Sequence, residues 1–175
     1  MLRLPFLRAL CFTCLLLRSV AAQDTGPAAD DPGIPTDLDS IVRLQAFLDR
    51  KLVGPGKLDG VIGEFTYKAV VNYNYAAGNS DYYDWKPVLR DAEQHLPVIY
   101  AAFKITVDLL AHVNPKLPDD PAEQQAFEYM AYRSLQELAA ERYHTDETFL
   151  ARLNPGIDLN ARKPGDVLTV PNVAP

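Results

Sequence analysis

The chain has 175 residues, 48% of them hydrophobic and 23% charged, with a formal charge of −6. That composition excludes a disordered polar chain and supplies apolar surface for one modest domain or two small ones. Its acidic balance opposes binding to nucleic acid or to an anionic membrane, because both are polyanions.

The first segment reads as an export signal. Arg3 and Arg8 precede a largely apolar run from Ala9 to Leu17, and small residues follow at Ser19, Ala21 and Ala22. Residues 1–22 are therefore expected to be a signal peptide cleaved after Ala21 or Ala22, and the apolar run is too short to span a membrane. Cleavage removes Arg3, Arg8 and Arg18, three of the 17 basic residues and none of the 23 acids, which takes the formal charge from −6 to −9. Cys11 and Cys14 also lie in this segment. Their C-x-x-C spacing leaves with it, and neither stands after the small residues where a lipid-modified cysteine would. Residues 23–35, rich in Asp, Gly, Pro, Ala and Thr and without apolar periodicity, read as a flexible linker.

Order is expected from about Thr36. Leu38, Ile41, Leu44, Leu48 and Leu52 recur at helical spacing, with Asp39, Arg43, Asp49 and Arg50 on other faces. Gly54-Pro55-Gly56 ends that helix, the loop Leu58 to Gly63 turns on two glycines with positive φ, and a second helix places Phe65, Ala69, Val70 and Tyr73 on one side.

Leu44-Gln45, Leu48, the Gly56-Lys57-Leu58-Asp59-Gly60 loop, Gly63, Thr66, Ala69-Val70 and Tyr73-Asn74 together resemble the peptidoglycan-binding domain of cell-wall hydrolases and transpeptidases. That family has a Leu-Gln in its first helix, an Asp-Gly-x-x-Gly loop, Thr-x-x-Ala-Val and an aromatic-Gln pair, where this chain has Asn74. The resemblance implies a recognition loop at Asp59, Gly60, Gly63 and Thr66. A structural role comes first for the same residues, with Asp59 capping the second helix or holding its turn and the glycines shaping the backbone.

Tyr73, Tyr75, Tyr82, Tyr83 and Trp85 cluster among Asn, Gly, Ser and Asp. This stretch reads as a packed hinge between domains, with a sugar-stacking platform as the alternative. From Val98 to Val107 the chain alternates, Ile99, Ala101, Phe103, Ile105 and Val107 against Tyr100, Ala102, Lys104, Thr106 and Asp108, which predicts a half-buried strand. A proline-rich run from Asn114 to Pro121 follows, and Asp120-Pro121 starts a short helix through Met130.

Ser134-Leu135-Gln136-Glu137 is a capping-box sequence opening a helix with Leu135, Leu138, Ala139 and Tyr143 on its buried stripe. A second helix from Thr145 carries Phe149, Leu150 and Leu153 into the turn Asn154-Pro155-Gly156, and a β-branched strand at Val167 to Val170 closes on Pro171. The pattern Ser134-Leu135, Leu138-Ala139, Tyr143-His144, Leu150, Leu153-Asn154-Pro155-Gly156, Pro164-Gly165-Asp166, Leu168 and Val170-Pro171 resembles a LysM domain, a β-α-α-β module that binds N-acetylglucosamine-containing glycans. Where that family has a Tyr-x-Val strand and a Gly-Asp-Thr-Leu loop, this chain has the shorter Met130-Ala131-Tyr132-Arg133-Ser134-Leu135. The resemblance implies glycan contacts from Tyr132, Ser134, Leu135, Asn154, Pro155, Gly156 and Ile157, and replacing Asn154 with Ala is expected to weaken binding while leaving the fold largely intact.

Candidate catalytic residues are few. His95, His112 and His144 form no metal-spaced pair, His95 in a charged solvated segment, His112 ending the strand region and His144 at a helix terminus. The mature chain has no cysteine nucleophile and no Gly-x-Ser-x-Gly elbow. Asp119-Asp120, Glu137 with Glu141, and Asp146-Glu147 read as turns, caps and solvated faces, and no cofactor or metal is implied. The two modules in this order resemble the N-terminal half of exported L,D-transpeptidases, which cross-link peptidoglycan with a cysteine in a C-terminal domain marked Ser-His-Gly-Cys, a signature this chain lacks.

The expected class is therefore α+β: a small helical peptidoglycan-binding-like domain at 36–90 that includes the aromatic hinge, a strand-containing connector at 91–123, and a β-α-α-β LysM-like module with a C-terminal stub at 124–175. The expected function is non-catalytic, exported recognition of peptidoglycan glycan strands in the periplasm or cell wall. One alternative is the targeting part of an L,D-transpeptidase whose enzyme domain lies beyond Pro175; the other is a protein-interaction scaffold of the cell envelope.

Overall fold

A computed structural model of the protein describes residues 33–173. The expected signal peptide, most of the linker and the last two residues of the stub lie outside them. The described part is α+β, with seven α-helices and one two-stranded antiparallel sheet.

The first three helices form one layer. α1 spans Leu38–Arg50, its N-terminus capped by the Asp37 carboxylate, which accepts from Ser40 N at 2.9 Å. Ile41, Val42, Leu44, Ala46, Phe47 and Leu48 are buried along it, but Leu52 falls beyond its end. With φ +60° and 91% exposure Leu52 belongs to the exit turn, and the expected apolar stripe stops at Leu48. α2 spans Glu64–Ala77. Its buried positions are Thr66, Ala69, Val70 and Asn74, whereas Phe65 is 66% exposed, so the helix is rotated one residue from the expected face. The reason is polar: Thr66 and Asn74 have hydrogen-bond partners inside, and Phe65 does not need one.

α3, Trp85–His95, corrects the reading of the aromatic stretch as a hinge between domains. Asp84 caps it, accepting from Lys86 N at 3.0 Å, and Pro87 sits in the first turn, where a missing N–H is tolerated. Trp85, Val88, Ala92 and Leu96 are buried at helical spacing, so the tyrosines before them mark a tight α2–α3 connection within one unit. Buried Asn74 clamps that connection, donating to the carbonyls of Tyr82 and Asp84 at 3.0 and 2.7 Å and accepting from Asn79 Nδ2 at 2.8 Å.

β1 covers Tyr100–Lys104, shorter than the alternation implied, because Thr106 caps α4 (Val107–Ala111) and leaves Val107 exposed. α5 is a single turn, Pro121–Gln124, capped by Asp120, and ends six residues before Met130. α6, Leu135–Arg142, buries Leu135, Leu138, Ala139 and Ala140, with Tyr143 buried just beyond its end. Ser134 Oγ accepts from Glu137 N at 2.9 Å, but the Glu137 carboxylate takes the Arg133 N–H, so the capping box closes one residue early. α7 spans Glu147–Leu153 and starts after an Asp146 cap, not at Thr145. A short 3₁₀ turn, Leu159–Ala161, leads to β2, Val167–Pro171.

The sheet pairs β1 with β2, Ala102 opposite Thr169 and Phe103 opposite Leu168. Its first strand therefore lies in the region expected to be a connector. The segment expected to supply that strand, around Tyr132, makes only an isolated parallel bridge to Val113. Reading β1, α6, α7, β2 gives a β-α-α-β order with residues 105–134 inserted after the first strand.

One hydrophobic core runs through both halves, joining Phe47, Leu58, Trp85 and Leu96 to Phe103, Leu138, Tyr143 and Leu168. Polar contacts lock the same seam. Leu58 N donates to His144 O at 2.9 Å and Thr145 Oγ1 to Leu58 O at 2.6 Å. His144 Nδ1 lies 2.9 Å from Asp49 Oδ2, Arg50 reaches Asn172 twice at 2.8 Å, and Tyr100 OH donates to Asp39 at 2.9 Å.

Candidate functional site

The α1–α2 loop is organised by one buried side chain. Gln45, 1% exposed on α1, accepts from Gly60 N at 3.0 Å and Asp59 N at 3.2 Å. Its amide donates to Val61 O at 3.0 Å and Asp59 Oδ1 at 3.1 Å, with Thr66 Oγ1 at 3.4 Å. Asp59 Oδ1 also accepts from Val61 N at 2.9 Å. Asp59 thus holds the turn and does not cap α2, whose first position follows Gly63 without a side-chain cap. Gly60 has φ +74°, the left-handed conformation that favours glycine, and a Cβ there would also require the Leu38 side chain, 2.2 Å away at Cδ1, to move aside. Gly63 corrects the other half of that expectation: its φ of −109° is ordinary extended backbone.

Around this turn lies an open cavity of about 340 Å³. Gln45, Asp59, Gly63 and Thr66 contribute to its wall, and Val61 and Phe65 add exposed apolar surface. Lys57 stands on the same rim. All four residues that carry the first resemblance in this loop, Asp59, Gly60, Gly63 and Thr66, are therefore in one small region, three of them on the cavity wall. Thr66 turns its hydroxyl inward, donating to Pro55 O at 3.1 Å.

The residues of the second resemblance divide. Asn154 is 4% exposed, and its side chain donates to Leu150 O at 2.9 Å and Thr169 O at 2.8 Å while accepting from Thr169 N at 2.8 Å. It is built into the fold, with no free donor to offer a ligand. Pro155, Gly156 and Ile157 are on the surface, Gly156 with φ +74°. Ser134 caps α6 and Leu135 is buried beneath it. The start of α6 does meet the loop after Ile157, since Gln136 N donates to Asn160 Oδ1 at 3.1 Å, and it meets the start of α7 through Gln136 Nε2 and Glu147 O at 2.8 Å. Tyr132 faces elsewhere.

Tyr132 belongs to a second cleft, about 320 Å³, between α4 and α6. Leu109 and Leu138 form its apolar lining, and Glu141, Arg142, His112 and His144 bring polar groups to it. The strap that closes one side is backbone: Tyr132 N donates to His112 O at 2.9 Å and Asn114 N to Tyr132 O at 2.7 Å. His112 follows α4 as its C-cap, a helical and not a strand terminus. This grouping escaped the sequence reading because 32 residues separate His112 from His144; their shared signal is only that each follows a helix end.

Two tyrosines are held far from their ordinary ionisation. Burial, then a hydrogen bond to Asp91 at 2.8 Å, pushes the Tyr73 phenol up to about 12. Burial and the bond to Asp39 push Tyr100 up to about 12. Both hydroxyls join elements, α2 to α3 and β1 to α1, and neither lines the cavities above. Among the described residues no three His, Cys, Asp or Glu side chains are placed to share a metal ion, and no helix is long and apolar enough to cross a membrane. Compared with known proteins, the chain matches no protein-family model and no curated protein.

Proposed function

We propose that the protein is an exported cell-wall protein that binds peptidoglycan without transforming it. The observation that carries the reading is the cavity on the α1–α2 loop, because Asp59, Gly63 and Thr66, which carry the resemblance to peptidoglycan-binding domains, line it beside exposed Phe65 and Val61. A rigid polar turn flanked by solvent-exposed apolar side chains suits a ligand that offers both hydroxyl or amide groups and apolar ring faces. The β-α-α-β order of the C-terminal half adds support, with a surface at Pro155, Gly156 and Ile157 next to the start of α6.

The test is co-sedimentation with purified peptidoglycan sacculi. The chain is expected in the pellet at low salt, and Phe65→Ala, at an exposed position, is expected to lower the bound fraction several-fold with no change in melting temperature. A chain that stays in the supernatant removes the peptidoglycan reading and leaves a protein-interaction scaffold. A second reading, the targeting part of an L,D-transpeptidase, is favoured by the docking of the two halves through Leu58 and Thr145, since a stiff two-part unit can position an attached enzyme domain. An in-frame Ser-His-Gly-Cys in the downstream coding sequence would establish it.

A further inference from the structure

We propose that the cleft between α4 and α6 binds a carboxylate-terminated peptide group, a ligand of a different class from sugar. The inference rests on the envelope reading above, and it names the part of the wall polymer that this surface would recognise.

The first observation is an unpaired cation. Arg142 makes no ion pair or hydrogen bond through its guanidinium among the described residues; it lies 6.0 Å over the Phe103 ring at the cleft. A guanidinium held on an aromatic face keeps its N–H fork available, and that fork matches a carboxylate in two-point contact. In an acidic chain, an exposed Arg with no acidic partner at a concave site points to an anionic ligand.

The second observation is an acceptor in the same cleft. Glu141 likewise has no hydrogen-bonded or charged partner for its carboxylate. His144 directs Nδ1 at Asp49 Oδ2, 2.9 Å away. The carboxylate oxygen can only accept, so Nδ1 donates to it and the ring is held against α1. An anion site with no other feature would not carry a carboxylate beside its cation. A peptide terminus presents both a carboxylate and an N–H within a few bonds, which fits Arg142 with Glu141.

The third observation is the lining. Leu109, Leu138 and the half-buried Tyr132 offer a small apolar surface, enough for a methyl side chain next to the carboxylate. A phosphate dianion has no N–H for Glu141 and would be repelled by it. A neutral sugar would leave the Arg142 charge unanswered.

The experiment is a titration of the ¹⁵N-labelled full chain with acetyl-Lys-D-Ala-D-Ala, followed by amide chemical shifts. The expected result is saturable shifts at Leu109, Tyr132, Leu138, Arg142 and His144, with affinity falling at least tenfold for the C-terminal amide of the same peptide or for Arg142→Gln. The amide comparison uses unaltered protein, so it stands even if the variant folds poorly. Equal binding of the amide, an absence of shifts, or the same shifts produced by inorganic phosphate or by chitotetraose overturns the assignment. Sedimentation of the same chain with sacculi separates the two levels: a null peptide titration with retained sedimentation overturns the cleft alone, and loss of both removes the envelope reading as well.

Discussion

The Asn154 side chain donates to the Leu150 and Thr169 carbonyls and accepts from the Thr169 N–H, so it pairs with β2 as another strand would. Its place in an Asn-Pro-Gly turn is legible in the sequence; its partner is 15 residues away and is not. Removing the amide leaves a buried N–H and C=O without partners, each worth on the order of 1–3 kcal/mol. Asn154→Ala is therefore expected to destabilise the protein by about 3 kcal/mol, read as a fall of about 10 °C in melting temperature. An unchanged melt would restore the expectation that the fold survives this substitution. The raised phenols make a second prediction. Because Tyr73 and Tyr100 have folded-state values of about 12, the native state holds protons there that the unfolded chain has released above about 10. Their contribution is complete below pH 10 and is lost as pH rises toward 12. Denaturant midpoints are expected to drop across that window, with a shallower drop in Tyr73→Phe and Tyr100→Phe, and absorbance at 295 nm should show two late-ionising tyrosines.

At the scale of elements, the helices announced by a local apolar period and a cap were readable: α1, α2, α6 and α7 follow from Ile41 and Leu44, Ala69 and Val70, Leu135 and Leu138, and Phe149 and Leu150. α3 was equally periodic at Trp85, Val88, Ala92 and Leu96, but its exposed Lys86, Arg90 and Glu93 and the preceding tyrosines made it look like a connection. The pairing of β1 with β2 was out of reach, because no local signal specifies which of two distant extended segments will meet. Since Thr169 turns its N–H and C=O to Asn154, Ala102 opposite it points its own away from β2, and the flanking pair Ala101 and Val170 exchanges the hydrogen bonds. Proline at 101 should therefore break the ladder and lower the melting temperature sharply, while proline at 102 should cost much less. Equal losses at both sites would contradict this register.

For the whole molecule, the sequence divides into two modules with a connector, whereas the structure gives one continuous core. Leu58, at the heart of the N-terminal turn, is bonded on both its N–H and its C=O to His144 and Thr145. Asp49, Arg50 and Asp39 on α1 reach His144, Asn172 and Tyr100. Halves joined this way are expected to unfold together. Calorimetry should give a single transition with equal calorimetric and van't Hoff enthalpies, and two resolved transitions would show that the seam is weak. The candidate surfaces were legible to different depths for the same reason. The α1–α2 loop is local, so its residues are contiguous in the sequence, while the α4–α6 cleft is assembled by the fold from a segment inserted between β1 and α6.

The Asn154 amide has a further consequence. A two-stranded ribbon has two open rims on which a second molecule's backbone can zip, the usual start of fibrous self-association. Here the rim of β2 is occupied at Thr169 by a side chain of the same molecule, and the rim of β1 ends in exposed Lys104, whose charge repels a copy of itself. One amide and one ammonium thus stand on the two rims, and the residue that resembles a ligand contact in the sequence covers a backbone pair on which another strand could dock.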